Sequence, residues 1–293
     1  MEEIVFGGVH RVQEENAPMK TVTLHDTIEV LKPDAQFFID KIEAGQALSY
    51  IKLNHGYWQM AQGDPRWVDI FEHMHEKSFI DECKIMIKSL PIDSDASLLL
   101  GVSHLGPPDQ EFDIDNDQVI KAIRSNTPQG PLYFGPIWKH YTLTKQILSL
   151  FYSLRRLPVV VVGLSHLKSI GERLGIKMNH FLIHVDASCD RHVILDCLRE
   201  VVKEPCAILF QAGEMLSAWL INHLHGAAGV YLFDMGRSLD YWADNSDFSL
   251  EDQDRYKRMM ERRQEPVRFP TIFDVFPDQS SQLWKRRGII KVI

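Results

Sequence analysis

Residues 157–185 read LPVVVVGLSHLKSIGERLGIKMNHFLIHV, and this stretch decides the fold. Pro158 stops whatever helix precedes it, because it has no N–H to donate. Val159–Val162 is a continuous β-branched run, the pattern of a strand buried on both faces. Gly163 opens a turn into a helix over Leu167–Leu174, which Gly175 terminates. A second strand follows over His180–Val185.

The same alternation continues toward the C-terminus. Asp186 or Ser188 caps a helix over Arg191–Val202, whose inward positions are Val193, Ile194, Cys197, Leu198 and Val201. Cys206–Phe210 is a third strand, Gln211-Ala-Gly213 turns into a helix over Glu214–Leu224, and Gly229–Phe233 is a fourth strand stopping at Asp234-Met-Gly236. A repeating β-α-β order calls for right-handed crossovers and helices on both faces of a parallel sheet. The fold class is therefore α/β, Rossmann-like, with a mostly parallel sheet.

The first half uses the same vocabulary less regularly. Ala35–Ala44 reads as helix, Leu48–Leu53 as strand, Trp67–Ser89 as one long or broken helix, Ser97–Val102 as strand and Tyr141–Leu154 as helix. Between residues 103 and 139, Gly106-Pro-Pro108 and Pro128-Gln-Gly-Pro131 mark loops. Without a Gly/Ser linker, residues 30–243 form one α/β domain, with an N-terminal appendage over 1–29 and a charged extension over 244–293.

Composition narrows the function classes. The 293 residues are 45% hydrophobic and 25% charged, which excludes a collagenous or wholly disordered chain. No apolar run approaches the roughly 20 residues needed to cross a bilayer, and Met1-Glu-Glu opens nothing like a secretory signal, so no membrane span is expected and the location is cytoplasmic. Cys83, Cys189, Cys197 and Cys206 form no short ligand pair and read as reduced thiols. A net charge of -8 argues against a general polyanion binder. The tail is locally basic, with Arg255, Lys257, Arg258, Arg262 and Arg263 among its cations, and the acidic run 244–254 can pair with it.

In an open parallel sheet, ligands bind beyond the carboxyl ends of the strands. Gly163 and Gly213 stand at such ends, where helix N–H groups favour an anion, although any α/β protein needs small residues there. His55, His104 and His166 also follow strands, and an imidazole there can act as base, donor or metal ligand. Asp234 and Asp240 flank Gly236-Arg237-Ser238. The carboxylates suit ribose or sugar hydroxyls and Arg237 a phosphate; a helix cap and a surface ion pair are the alternative.

Taken together, four segments resemble the GT-D fold glycosyltransferases, which use nucleotide-sugar donors. The segments are Lys52-Leu-Asn-His-Gly-Tyr-Trp58, Val159–Leu174, Ile208-Leu-Phe-Gln-Ala-Gly-Glu214 and Asp234-Met-Gly-Arg-Ser-Leu-Asp240, the last followed by Tyr241 and Trp242. They correspond to that family's R/K-x-G-D-G-E-W-like motif, its strand–turn–helix, its small-residue turn and its D-x-G-[HS]-x-x-D-like motif.

The resemblance implies transfer of a sugar, from UDP foremost, to a hydroxyl of a glycan or another acceptor. It places Lys52, Asn54, Gly56, Gly163, Ser165, His166, Gly213, Glu214, Arg237 and Asp240 along the donor, and gives Asp234 a catalytic, donor-orienting role. His55 becomes the base and Tyr57 a hydrogen-bonding partner of donor or acceptor. Trp58, His104, Tyr133, Trp138 and Lys139 are candidate acceptor contacts, the last three on their position in the proline-rich loop alone, while core packing is the stronger reading of Trp58.

One departure bears on mechanism. The family's two carboxylates, which engage a divalent ion and the diphosphate, fall at His55 and Tyr57, neither of which is a hard anionic oxygen ligand. No metal site is therefore expected. The chain is either a metal-independent transferase or a non-catalytic nucleotide-sugar or glycan-binding domain. The tail's cations with Phe269, Phe273, Phe276 and Trp284 also allow a nucleic-acid acceptor such as a hydroxymethylated base.

Overall fold

The computed structural model describes residues 20–24, 28–53, 55–61, 63–65, 68, 75–90, 97–102, 131–135, 137–143, 146–174, 176–183, 188 and 190–243. The extension over 244–293 lies outside them. Among the described residues nine strands form one sheet: β1 Lys20–Leu24, β2 Ile28–Lys32, β3 Leu48–Leu53, β4 Leu98–Val102, β5 Leu132–Phe134, β6 Val159–Gly163, β7 Met178–Leu182, β8 Cys206–Gln211 and β9 Val230–Asp234. Their order is β1-β2-β5-β4-β3-β9-β8-β6-β7. Only β1 pairs antiparallel, as the outer strand of a hairpin with β2; every other neighbour is parallel. The chain is an α/β, Rossmann-like protein.

The order sorts the sheet by sequence. Strands from residues 20–134 fill one side, strands from residues 159–234 the other, and β3 meets β9 at the seam, with Leu48 opposite Tyr231 and Tyr50 opposite Phe233. Both strands are almost fully buried, which is why LSYIKL and VYLFD are dominated by apolar and aromatic residues.

Helices cover both faces. On one side lie α1 Ala35–Glu43, α4 Ile137–Leu143, α5 Gln146–Leu154, a 3-10 turn Ser165–Ser169 running into α6 Ile170–Leu174, and α9 Asp240–Ala243. On the other lie α2 His55–Ala61, α3 Lys77–Ser89, α7 Arg191–Val201 and α8 Glu214–Leu224. Asp34 starts α1 by accepting the Phe37 N–H at 3.1 Å. In α3 the buried set Phe79, Ile80, Cys83, Met86 and Ile87 follows helical spacing and faces the sheet. The seam is sealed on one face by α8, whose Met215, Leu216, Trp219, Leu220 and Ile221 are all buried. On the other face the rings of Phe38, Tyr50 and Phe233 lie 4.9, 5.1 and 5.2 Å from Trp138.

Several sequence expectations need correction. Residues 20–24 and 28–32 also pair into the sheet. The helix expected over Leu167–Leu174 is a 3-10 turn followed by a short α-helix. The helix expected over Tyr141–Leu154 is two helices that begin at Ile137. The strand expected at His180–Val185 runs instead over Met178–Leu182, its start set by pairing of Met178 with Val159. Cys83, Cys197 and Cys206 are buried free thiols, and burial pushes Cys206 up to about 12. Among the described residues, no helix is long and apolar enough to cross a membrane.

Candidate active site

The carboxyl ends of β3, β9, β8 and β6 lie side by side, and each contributes a polar group or a tight turn. Strand β9 is apolar until its last residue, Asp234, which is 4% exposed. A buried carboxylate needs donors, and two backbone N–H groups among the described residues supply them. The Gly236 N–H donates to Oδ1 at 3.1 Å, and the Lys52 N–H of β3 donates to Oδ2 at 3.3 Å. Asp234 thereby fastens the seam and shapes the turn behind it. Gly236 has φ +51°, and a methyl there would lie 3.2 Å from Lys52 Nζ, so the glycine lets the ammonium group settle against the turn. On the far side, burial and the Asp234 charge together raise the Tyr50 phenol well above its ordinary value.

A second buried carboxylate belongs to Asp240, the first residue of α9. His166 Nε2 lies 2.7 Å from its Oδ1, and Gln211 Nε2 donates to the same oxygen through a short hydrogen bond. The Asp240 side chain is 1% exposed and that of His166 41% exposed. Gln211 ends β8 opposite Gly163 at the end of β6. Its Oε1 is buried with no hydrogen-bond partner among the described residues, an acceptor that a ligand hydroxyl can satisfy.

The two glycines proposed for the diphosphate differ. A methyl on Gly163 would overlap the Leu167 side chain and come within 3.2 Å of the Gln211 carbonyl, so packing requires a glycine here. Gly213, at φ +89°, turns the chain into α8 and faces open space.

The structure brings Lys52, His166, Asp234, Arg237 and Asp240 to one edge of the sheet, with Arg237 exposed on the turn. It separates the aromatics from that edge. Trp58 and Trp138 are each 1% exposed and packed in opposite cores, Tyr57 is 2% exposed beside Trp58's cluster, and Tyr133 is 7% exposed in β5. Their expected ligand contacts give way to core packing, because rings of this size gain more from burial than an open edge would give them. Lys139 is exposed on α4 rather than in a loop. His55, Ser165 and Glu214 are placed by backbone, as the first residues of α2, the 3-10 turn and α8, and Gly56 is buried in α2. Asn54 and His104 lie outside the described residues.

Gln211 was not among the expected site residues. Its signal was a polar side chain ending an apolar strand, CAILFQ. The donor set does not fit a Mg²⁺ or Mn²⁺ site of the kind the resemblance implies. Tyr57, at one of the two carboxylate positions, is a core ring that offers no anionic oxygen.

No family model matches the chain, and no curated protein matches it in sequence. Solved structures are similar at low identity. One, of the highly conserved domain of unknown function 1792 with a distinct glycosyltransferase fold, is 13% identical over 72% of this chain and 79% of its own, with a TM-score of 0.48. Another, a glycosyltransferase (DUF1792) from Streptococcus sanguinis, is 13% identical over 87% of this chain and 97% of its own, with a TM-score of 0.46.

Proposed function

We propose that the chain is a glycosyltransferase that moves a sugar from a nucleotide-sugar, UDP-linked foremost, to an acceptor hydroxyl of a glycan or a related molecule. The observation that carries this reading is the convergence of the motif residues. Lys52, Gln211, Asp234 and Asp240 come from segments up to 188 positions apart, by subtraction of their numbers, yet occupy adjacent strand ends. Buried carboxylates suit sugar and ribose hydroxyls, and Lys52 with Arg237 supplies positive charge for a leaving diphosphate. Transfer without a resident metal is part of the proposal. The His166 imidazole stands at this edge to handle the acceptor proton, and His55 opens α2 at the end of β3. The reduced, buried cysteines accord with a cytoplasmic location.

Calorimetric titration with UDP, GDP and their common sugar conjugates, with and without Mn²⁺, tests the reading. Saturable binding of one nucleotide that persists in chelator is the expected result. Absence of binding across the panel overturns it. A second reading, a non-catalytic nucleotide-sugar or glycan-binding domain, is favoured by the replacement of a metal-binding carboxylate with the core residue Tyr57. Saturable binding with no release of nucleoside diphosphate would select it.

A further inference from the structure

We infer that His166, oriented by Asp240, is the group that takes the acceptor's proton; this rests on the transferase reading above. The pair is asymmetric in the way the task requires. Asp240, with its side chain 1% exposed, is out of reach of an acceptor, whereas His166, at 41%, can meet one. Asp240 Oδ1 receives both His166 Nε2 at 2.7 Å and Gln211 Nε2, so the carboxylate is held from β8 and in turn holds the ring. With its proton on Nε2, the neutral imidazole carries its lone pair on Nδ1, which has no hydrogen-bond partner among the described residues. The ring stands on the 3-10 turn that leaves β6, and α9, which supplies Asp240, packs against that turn.

In the transfer step the acceptor oxygen forms a bond to the anomeric carbon. The bond from that carbon to the diphosphate oxygen breaks, and its electron pair departs with the nucleoside diphosphate. The acceptor proton passes to His166 Nδ1. The imidazolium so formed is offset by the Asp240 carboxylate and then returns its proton to solvent. His166 is the catalytic residue of this step and Asp240 its positioning residue.

The alternative is a purely structural tie between the 3-10 turn and α9, and the test separates the two. The full chain is incubated with UDP-glucose, UDP-N-acetylglucosamine and GDP-mannose, with water as acceptor, and release of nucleoside diphosphate is followed. His166→Gln keeps an N–H for Asp240 but has no base. The expected result is a fall in kcat of about 100-fold or more, with donor KM within about threefold and an unchanged melting temperature. Asp240→Asn keeps an acceptor for the ring and should lower kcat by about tenfold or more. Added imidazole should restore turnover to His166→Ala. Parental kcat in His166→Gln, a loss confined to KM, failure of imidazole to rescue, or unfolding of all three variants overturns the assignment. If the parent releases no nucleoside diphosphate from any donor, the transferase reading falls and this inference with it. An active parent with an equally active His166→Gln removes the inference alone.

Discussion

Arg191 lays two edges of its guanidinium on Glu82, with Nε 3.2 Å from Oε2 and a terminal nitrogen 2.7 Å from Oε1. The arginine is 5% exposed at the start of α7, and the glutamate is on α3, so the fork clamps two helices of one face together. Ser188 O and Ser78 Oγ accept two further donors at 3.0 and 3.1 Å, and the Glu76 carboxylate lies 3.5 Å from the other terminal nitrogen. Hydrogen bonding from Arg191 is the main cause that holds the Glu82 carboxyl below its ordinary value of 4.5. The clamp's contribution is therefore complete above that value and is lost as pH falls through the lowered value of the folded state. Glu82→Gln should cost about 2 kcal/mol at pH 7, discounted for partial exposure of the glutamate. In urea unfolding the gap between parent and variant should close as pH drops below the ordinary carboxylate range. A gap that stays constant down to pH 3 would show that the charge is not what binds the helices.

The Tyr50 hydroxyl crosses β4 at Gly101 to donate to the Phe134 carbonyl at 2.8 Å. A methyl on Gly101 would overlap that hydroxyl and its ring carbon. Gly101→Ala should destabilise by about 1–3 kcal/mol. In a Tyr50→Phe background the penalty should shrink, because the hydroxyl part of the overlap has gone. Equal penalties in the two backgrounds, read from a double-mutant cycle, would refute the contact.

Lys52 has its backbone fixed by Asp234 and its ammonium against Gly236, so removing its charge need not disturb the seam. Lys52→Met should leave the melting temperature unchanged while weakening UDP affinity by about tenfold, the scale of one charge-assisted contact. Calorimetry showing parental affinity would remove Lys52 from the donor path.

A methyl on Gly213 would meet no neighbour, yet its φ of +89° is one that side chains resist. Gly213→Ala should cost about 1 kcal/mol through backbone strain alone. A neutral or stabilising result in thermal unfolding would mean that the turn adopts another conformation without penalty.

These sites were legible to different degrees. VVVVG, CAILFQ and VYLFD announce buried strands because both faces demand apolar residues, and α8 was read with the limits it has. Strand β5 was not legible, since three residues beside Pro131 give no periodicity. The β1–β2 hairpin alternates polar and apolar residues in KTVTL and IEVLK with no turn dipeptide between them, so it resembled an irregular appendage. Asp234 and Asp240 could be singled out from their motif. The pairing of Asp240 with His166 could not, because those residues are 74 positions apart and meet only when β6, β8 and β9 are ordered. Trp58 and Trp138 were overread because an aromatic beside a strand end looks the same in sequence whether it stacks on a sugar or fills a core.

The seam between β3 and β9 also has a kinetic meaning. Each side of the sheet is built from a contiguous stretch of chain and can collapse on contacts within that stretch, whereas the Lys52–Asp234 hydrogen bond spans 182 positions. Contacts of such separation form slowly, because the chain must surrender its closure entropy before they repay it. The candidate site should accordingly be among the last parts of the protein to assemble. A folding intermediate with both half-sheets formed would hold every side chain of the candidate site and still lack the assembled site.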